Sequence, residues 1–221
     1  MNRFLGALGL LLTVSPAAQA QFGLTAGGNF ATLATKTSGD EHHRAIATGQ
    51  PGYQVGVFYE QKITSRWSGL LGLSYSRQAM NLSVEEYGIA DGGYAGSYRL
   101  DLSYLNLPML ARLALGRFYL EAGPQLSILQ AAHEKGTETF GTFGGPRQQD
   151  FDRPATDRYR RLDVGLCAGL GAKLPAGFSL GLRAGAGLLS LTRLAQSVTY
   201  AGTLRNQVVQ ASLSYQFEPK P

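Results

Sequence analysis

The sequence predicts an all-β fold, an eight-stranded antiparallel up-and-down transmembrane β-barrel with short periplasmic turns and long extracellular loops. Three observations predict it: long runs of alternating apolar residues, an even number of such runs, and connections that alternate between long and short. The best runs last for about ten residues, the length that a tilted strand needs to cross a bilayer. Strands of soluble sandwiches usually stop after about five or six residues.

The N-terminal stretch has the pattern of a secretory signal peptide. Arg3 gives the positive start, an apolar stretch follows over 4–14, and Ala18-Gln19-Ala20 is a small-residue cleavage site. No later stretch reaches the ~18 consecutive apolar residues of a spanning helix. The sequence therefore predicts a signal peptide over 1–20 and one exported barrel domain over 21–221, located in the cell outer membrane.

The clearest alternation lies in 161–191, on either side of Pro175-Ala176-Gly177. Even-numbered residues from Leu162 to Leu174, and again from Phe178 to Leu188, are apolar, whereas most of their neighbours are not. A period of two is the pleat of a β-strand, so we expect a long hairpin with one lipid-facing side. Its other side carries glycines and a few charges, which suits a narrow lumen.

The other strands are weaker but follow in order. Strands are predicted over about 22–32, 52–62, 67–80, 100–115, 118–128 and 205–217, with short turns at 64–66 and 116–117. In the fourth, the apolar phase moves across Tyr104, from Leu100 and Leu102 to Leu105 and Leu107, which suggests a bulge there. The stretch 133–160 is polar and predicts the longest loop, which we expect to be mobile.

Aromatic residues support the same arrangement. Six of them occur at the short-turn end of their strands and on the predicted lipid face, as in the girdles of outer-membrane barrels. This predicted periplasmic girdle consists of Phe22, Tyr59, Trp67, Phe118, Phe178 and Phe217. The pattern places both chain termini in the periplasm.

Four segments carry a resemblance to a known family: 22–30 (FGLTAGGNF), 104–108 (YLNLP), 119–125 (YLEAGPQ) and the closing strand 210–217. With them the chain resembles the outer membrane β-barrel domain family, which includes the PorT-like and porin-like small barrels of Bacteroidetes-type bacteria. The resemblance implies an eight-stranded barrel that resides in the outer membrane. Asn106 stands where a carboxylate is common in that family.

Charged residues at inward positions are the first candidates for a functional role. The predicted lumen network consists of Glu60, Arg112, Glu121, Asp163, Lys173 and Arg183. An eight-stranded barrel has an interior about wide enough for side chains alone, and unpaired charges there would be costly. We therefore expect a sealed, salt-bridged core rather than a conducting pore.

The residues that could support catalysis or ligand binding give weaker signals. His133, continued along its strand, would share the inward face with Ser127 but lie too far along it to touch. The pair His42-His43 matches no defined metal site. No phosphate-binding glycine loop, HExxH or GxSxG occurs, so the sequence predicts no cofactor, no metal and no enzyme. The single Cys167 is expected to pack inward.

The net charge of +5 would admit nucleic acid as a partner of a cytosolic chain, but export favours outer-membrane lipid. Phosphates of lipopolysaccharide could pair with the arginines of the 133–160 loop, which are Arg147, Arg153, Arg158 and Arg160.

The first hypothesis is a structural or surface-interaction barrel whose outer loops bind an unknown protein or small molecule. The alternatives are a narrow pore, an accessory barrel of a secretion apparatus, a lipid-modifying enzyme, and a soluble carrier with an apolar interior.

Overall fold

The computed structural model describes residues 20–36, 43–86, 93–141, 145–191 and 203–217. Most of the predicted signal peptide therefore lies outside the described residues. The described part contains these strands: β1 (Ala20–Lys36), β2 (His43–Lys62), β3 (Trp67–Glu86), β4 (Tyr94–Leu115), β5 (Phe118–Phe140), β6 (Arg147–Pro154), β7 (Leu162–Lys173), β8 (Phe178–Gly187) and β9 (Thr203–Gln216). Short 3-10 helices cover Thr156–Arg158 and Pro175–Gly177. None of the helices in these ranges is long and apolar enough to cross a membrane.

Eight of the strands form a closed antiparallel ring. Each pairs with the strands before and after it in the ring, where β5 is followed directly by β7, and β1 pairs with β9 to close the ring. The closure leaves no strand edge without a partner through most of the wall, which is what a barrel in lipid requires. The predicted fold class is confirmed.

The ninth strand, β6, is the outer part of an interrupted strand. One edge of β5 pairs with β7 over Phe118–Ile128 and with β6 over His133–Phe140. Between these ladders, residues 155–161 lie opposite the shorter stretch 129–132, so the longer segment folds inward. Ala155 and Tyr159 become buried in the lumen as a result. The predicted long, mobile loop over 133–160 is therefore wrong, because cross-strand pairing orders most of this polar stretch.

The outer face of the ring carries an apolar belt. It begins at the short turns and ends, on β3, β4 and β5, near Tyr75, Leu105 and Ile128. These strands have 20, 22 and 23 residues, whereas about 9 to 11 suffice to cross a bilayer. The wall of β3–β6 therefore projects well beyond the apolar belt, and the predicted strands stop short of its far end.

The bulge predicted in the fourth strand lies instead in the fifth. Burial alternates along the whole of β4, and the register shift opposite Ser103 and Tyr104 is caused by Gln130, the extra residue of β5. Leu100 and Leu102 point inward and are fully buried. Sequence reasoning counted them as the first part of a lipid-facing run whose phase shifts at Tyr104, because the inner face of the clearest hairpin carries glycines and a few charges.

The lumen has two halves of different chemistry. The half near the short turns is polar, with a small apolar contact formed by Phe58, Leu70, Leu110 and Cys167. The outer half is filled by an apolar cluster, the outer plug, to which the inward segment 155–161 contributes. The buried residues of the outer plug are Ala31, Leu33, Met80, Leu82, Leu100, Leu102, Tyr104, Leu129, Ala132, Ala155, Tyr159, Leu191 and Leu204.

Candidate functional site: a filled lumen below an extracellular tip

Four of the six predicted lumen charges meet in one cluster across the barrel. Glu121 of β5 lies at its centre: its Oε1 accepts from Arg183 Nη2 at 2.6 Å, and its Oε2 accepts from Arg112 Nη2 at 2.9 Å. Arg112 also donates to Glu60 Oε2 at 2.7 Å. Ser68 and Gln216 donate to the same Glu60 carboxylate. Strands β2, β4, β5 and β8 are thus linked through the interior.

The cluster is buried and electrically balanced. The side chains of Arg112, Glu60 and Glu121 are 9%, 5% and 4% exposed, and Arg183 is the most accessible member. Two carboxylates face two guanidinium groups, so the charges in this part of the lumen cancel. The Arg112 guanidinium also lies 4.2 Å from the centre of the Tyr119 ring. Ion pairs and hydrogen bonds of this kind offset the free-energy cost of removing the charged groups from water.

The other two predicted lumen charges lie elsewhere. Asp163 is nearer the outer end, where it accepts a hydrogen bond from the backbone N–H of Leu189. Lys173 is exposed at the end of β7, beside a short turn. The lumen also keeps two small cavities of about 30 and 40 Å³, one lined in part by Asp163 and the other by Arg112. Each has room for about one or a few water molecules.

A second polar cluster fixes the inward segment 155–161. Glu134 of β5 is buried, and it accepts hydrogen bonds from Tyr159 Oη at 2.7 Å, Arg158 Nη1 at 3.1 Å and Arg153 Nε at 3.3 Å. Arg153 continues to Glu138. Burial raises the pKa of the Tyr159 hydroxyl well above its ordinary value, so it stays a neutral donor. This cluster holds Tyr159 in the outer plug.

Above this cluster, four aromatic side chains form what we name the tip surface: Tyr94, Tyr98, Phe140 and Phe151. The Tyr94 and Phe140 rings lie 5.4 Å apart, and the Tyr98 and Phe151 rings 5.8 Å apart. The Arg153 guanidinium covers the Phe151 ring at 4.1 Å. Phe140 is 41% exposed, although the surface stands beyond the apolar belt. Burial and the nearby Glu138 carboxylate raise the pKa of Tyr94 to about 12.

Sequence reasoning missed the tip surface because it assigned these residues to loops. A signal was present: Tyr94, Tyr98 and Tyr104 share one parity with the buried Leu100 and Leu102. A period of two continued through this stretch would have extended the fourth strand and placed its tyrosines inside.

Of the predicted histidine candidates, the structure describes the side chain of His133 only, and it does not meet Ser127. The bulge at Gln130 reverses the parity of β5, so His133 points outward, where Nε2 lies 2.6 Å from Asp152 Oδ1, and its predicted inward direction is wrong. Ser127 points inward and donates to Asn106. His42 and the side chain of His43 lie outside the described part of the chain. Among the described residues, no group of three or more His, Cys, Asp or Glu could hold a metal ion.

The girdle residues lie at the short-turn end of the ring. Phe22 and Tyr59 on neighbouring strands have rings 5.2 Å apart. Phe178 and Phe217 each contact Tyr215, at 5.0 and 5.2 Å. Exposed on the outside of the barrel are Phe22, Trp67, Phe118, Phe178 and Phe217. Aromatic rings in this place are suited to the interface between hydrocarbon and headgroups.

One family model and several solved structures are similar to this chain. A family model described as "Outer membrane protein beta-barrel domain" matches residues 15–193. No curated protein matches the chain. Among solved structures, Ail of Yersinia pestis in complex with the heparin analogue sucrose octasulfate is similar, with 11% identity, a TM-score of 0.44, and coverage of 90% of this chain and 99% of Ail. OprG of Pseudomonas aeruginosa is similar with 11% identity, a TM-score of 0.43, and coverage of 91% of this chain and 98% of OprG. The protease OmpT of Escherichia coli is similar with 9% identity, a TM-score of 0.34, and coverage of 93% of this chain and 99% of OmpT.

Proposed function

Because this chain belongs to the outer membrane protein beta-barrel domain family, we propose that it is a sealed, non-enzymatic barrel that presents a binding surface outside the cell. The observation that carries the proposal is the contrast between a filled lumen and a partly exposed aromatic tip surface above it. The proposal includes cleavage of the 1–20 signal peptide and kinship with PorT-like small barrels, both supported by sequence patterns.

The filled lumen argues against transport. The outer plug closes one half with buried apolar side chains, and the Glu60–Arg112–Glu121–Arg183 cluster crosses the other half. An ion that entered would have to displace paired charges and then pass an apolar region, and both steps are costly. The barrel therefore acts as a rigid membrane anchor.

The tip surface has the composition of a binding surface. Aromatic side chains with a polar end are enriched at the energetic centres of interfaces, since they offer large contact areas with few rotatable bonds. Phe140 and Phe151 lie on paired strands rather than on a free loop, so little conformational entropy is lost when a partner binds. Arg153 and Glu138 lie beside them and supply polar contacts.

Conductance in planar bilayers separates the anchor from the narrow pore or secretion-apparatus barrel. The folded chain should insert without producing stepwise currents, in a membrane where a porin of known conductance produces them. Insertion is verified by recovering the protein from the membrane in its heat-modifiable form. Reproducible current steps would refute the sealed lumen and favour the pore.

Photo-crosslinking in intact cells tests the tip surface. A photoreactive phenylalanine analogue is placed at Phe140, and in a control chain at Leu182, which is similarly exposed on the lipid-facing side. A discrete protein or glycan adduct at Phe140 and none at Leu182 is the expected result. If neither position gives an adduct, or both give the same one, the tip surface is not the binding surface.

A further inference from the structure

A group of basic side chains lies on the outside of the barrel immediately beyond the apolar belt. We name it the cation ladder: Arg77 on β3, Arg99 on β4, and His133 and Lys135 on β5. Arg99 is the direct cross-strand partner of Lys135, and Asp101 is that of His133. All four side chains belong to one polar sheet face, opposite to the face that carries the tip surface.

Two carboxylates are shared among these basic groups. Asp101 lies 3.5 Å from Arg77 Nη2 and 3.3 Å from Arg99 Nε. Asp152 lies 2.9 Å from Lys135 Nζ and 2.6 Å from His133 Nε2. Hydrogen bonds from Lys135 and His133 hold the pKa of Asp152 below its ordinary value. With three permanent cations and two carboxylates, the group has a surplus of positive charge.

The arrangement leaves donors available to a ligand. The side chains of Arg77, Arg99, His133 and Lys135 are 49%, 51%, 49% and 70% exposed. Like charges directly opposite each other on neighbouring strands, as in Arg99 and Lys135, destabilise a sheet. An anion bound between the two would turn this repulsion into attraction, and guanidinium and ammonium groups are well suited to phosphate.

The position of the ladder identifies the source of the anion. Leu105 is the outermost apolar residue of the belt on β4, and Ser103, Asp101 and Arg99 follow at successive outward positions. At about 3.4 Å per residue along a tilted strand, the ladder begins within roughly 10 Å of the hydrocarbon edge. Tyr75 marks that edge on β3, where its hydroxyl hydrogen-bonds Ser103. Phosphates of outer-leaflet lipids lie at this depth.

We propose that the cation ladder binds the phosphate groups of a phosphorylated outer-leaflet glycolipid of the lipid A type. The site differs from the one expected from the sequence, where lipopolysaccharide phosphates pair with arginines of 133–160. Arg153 and Arg158 instead bind Glu134 and Glu138. Lipid bound at the cation ladder would fix the height and orientation of the projecting wall relative to the membrane, whatever partner binds the tip surface.

Native mass spectrometry of the folded full chain tests the proposal. The barrel is released from nanodiscs of phosphatidylcholine containing either diphosphoryl lipid A or lipid A with both phosphates removed, and retained lipid is counted. The test variant is Arg99→Gln/Lys135→Gln. The control is Arg66→Gln/Arg117→Gln, which removes the same charge from exposed residues at the short turns. Heat-modifiable gel mobility verifies folding.

Diphosphoryl lipid A should be retained by the wild type and the control, and retention by the test variant should fall about tenfold. Arg99→Lys/Lys135→Arg should restore it, since the charges remain, and millimolar inorganic phosphate should not displace the lipid. Equal loss in the test and control variants would reduce the effect to net charge and overturn the proposal. Equal retention of the phosphate-free lipid would assign binding to the acyl chains and also overturn it.

Discussion

Replacing Arg112 by methionine should strongly destabilise the barrel. Arg112 is the only group that links Glu60 to Glu121 within the described cluster, and its side chain is 9% exposed. Methionine keeps most of the side-chain volume but removes the charge. Glu121 then retains Arg183, whereas Glu60 retains only its neutral donors, Ser68 and Gln216. The cluster changes from neutral to a net charge of −1 in a buried site.

The structure gives an approximate size for this effect. Breaking a buried ion pair by removing one partner costs about 3 to 5 kcal/mol. Both carboxylates keep other donors in Arg112→Met, so the loss of unfolding free energy should lie at the lower end of this range, at about 3 kcal/mol. The double variant Glu60→Gln/Arg112→Met leaves a balanced Glu121–Arg183 pair. It should therefore regain about 2 kcal/mol relative to Arg112→Met alone.

Urea unfolding in lipid vesicles measures both values. The chain has a single tryptophan, Trp67, which is exposed on the lipid side and reports the loss of the barrel by its fluorescence. Asp157→Asn, which breaks the exposed pair with Arg161, is the control and should change stability by less than about 1 kcal/mol. If the double variant is less stable than Arg112→Met by the full cost of Glu60→Gln, the two charges are not coupled and the reasoning fails.

Three further predictions concern other parts of the barrel. Gly171→Ala should prevent folding, because the added Cβ would collide with the Tyr119 ring and with the Leu180 carbonyl oxygen; Gly28→Ala, whose nearest atom is at 3.8 Å, should give the normal heat-modifiable band. Cys167 is 5% exposed, so maleimide should label it far more slowly in the folded barrel than in urea, and equal rates would contradict inward packing. Glu134→Gln replaces a carboxylate that accepts from three donors by a neutral amide, which weakens these hydrogen bonds, so amide hydrogen exchange over 155–161 should accelerate. Unchanged exchange would mean that apolar packing alone holds this segment.

The lipid-facing positions could be predicted from the sequence because the period of two is a local property. Where one face meets hydrocarbon along the whole strand, every second residue must be apolar, as in β7 and β8. The same parity placed Glu60, Arg112, Glu121 and Arg183 inside. It could not state which of them touch, since contacts across a lumen depend on the stagger of strands distant in sequence.

The region beyond the membrane was predicted poorly for a physical reason. Outside the lipid, the exterior face of a strand can be polar, so apolar and polar residues no longer alternate as they do in the spanning part. The single extra residue Gln130 then reverses the parity of β5, and His133 turns from the lumen to the outside. A one-residue change of register moves every following side chain to the other face.

The sequence by itself determined the fold class, the lipid face of the spanning strands and the polar character of the lumen near the short turns, because each follows from residue type at alternate positions. Only the tertiary structure decided that 155–161 folds inward and becomes part of the outer plug, and that Arg153 and Arg158 bind Glu134. It also decided that Arg99 and Lys135 face each other on the outside of the barrel, beyond the apolar belt. These contacts join residues of different strands, and the register that brings them together is fixed only when the ring closes.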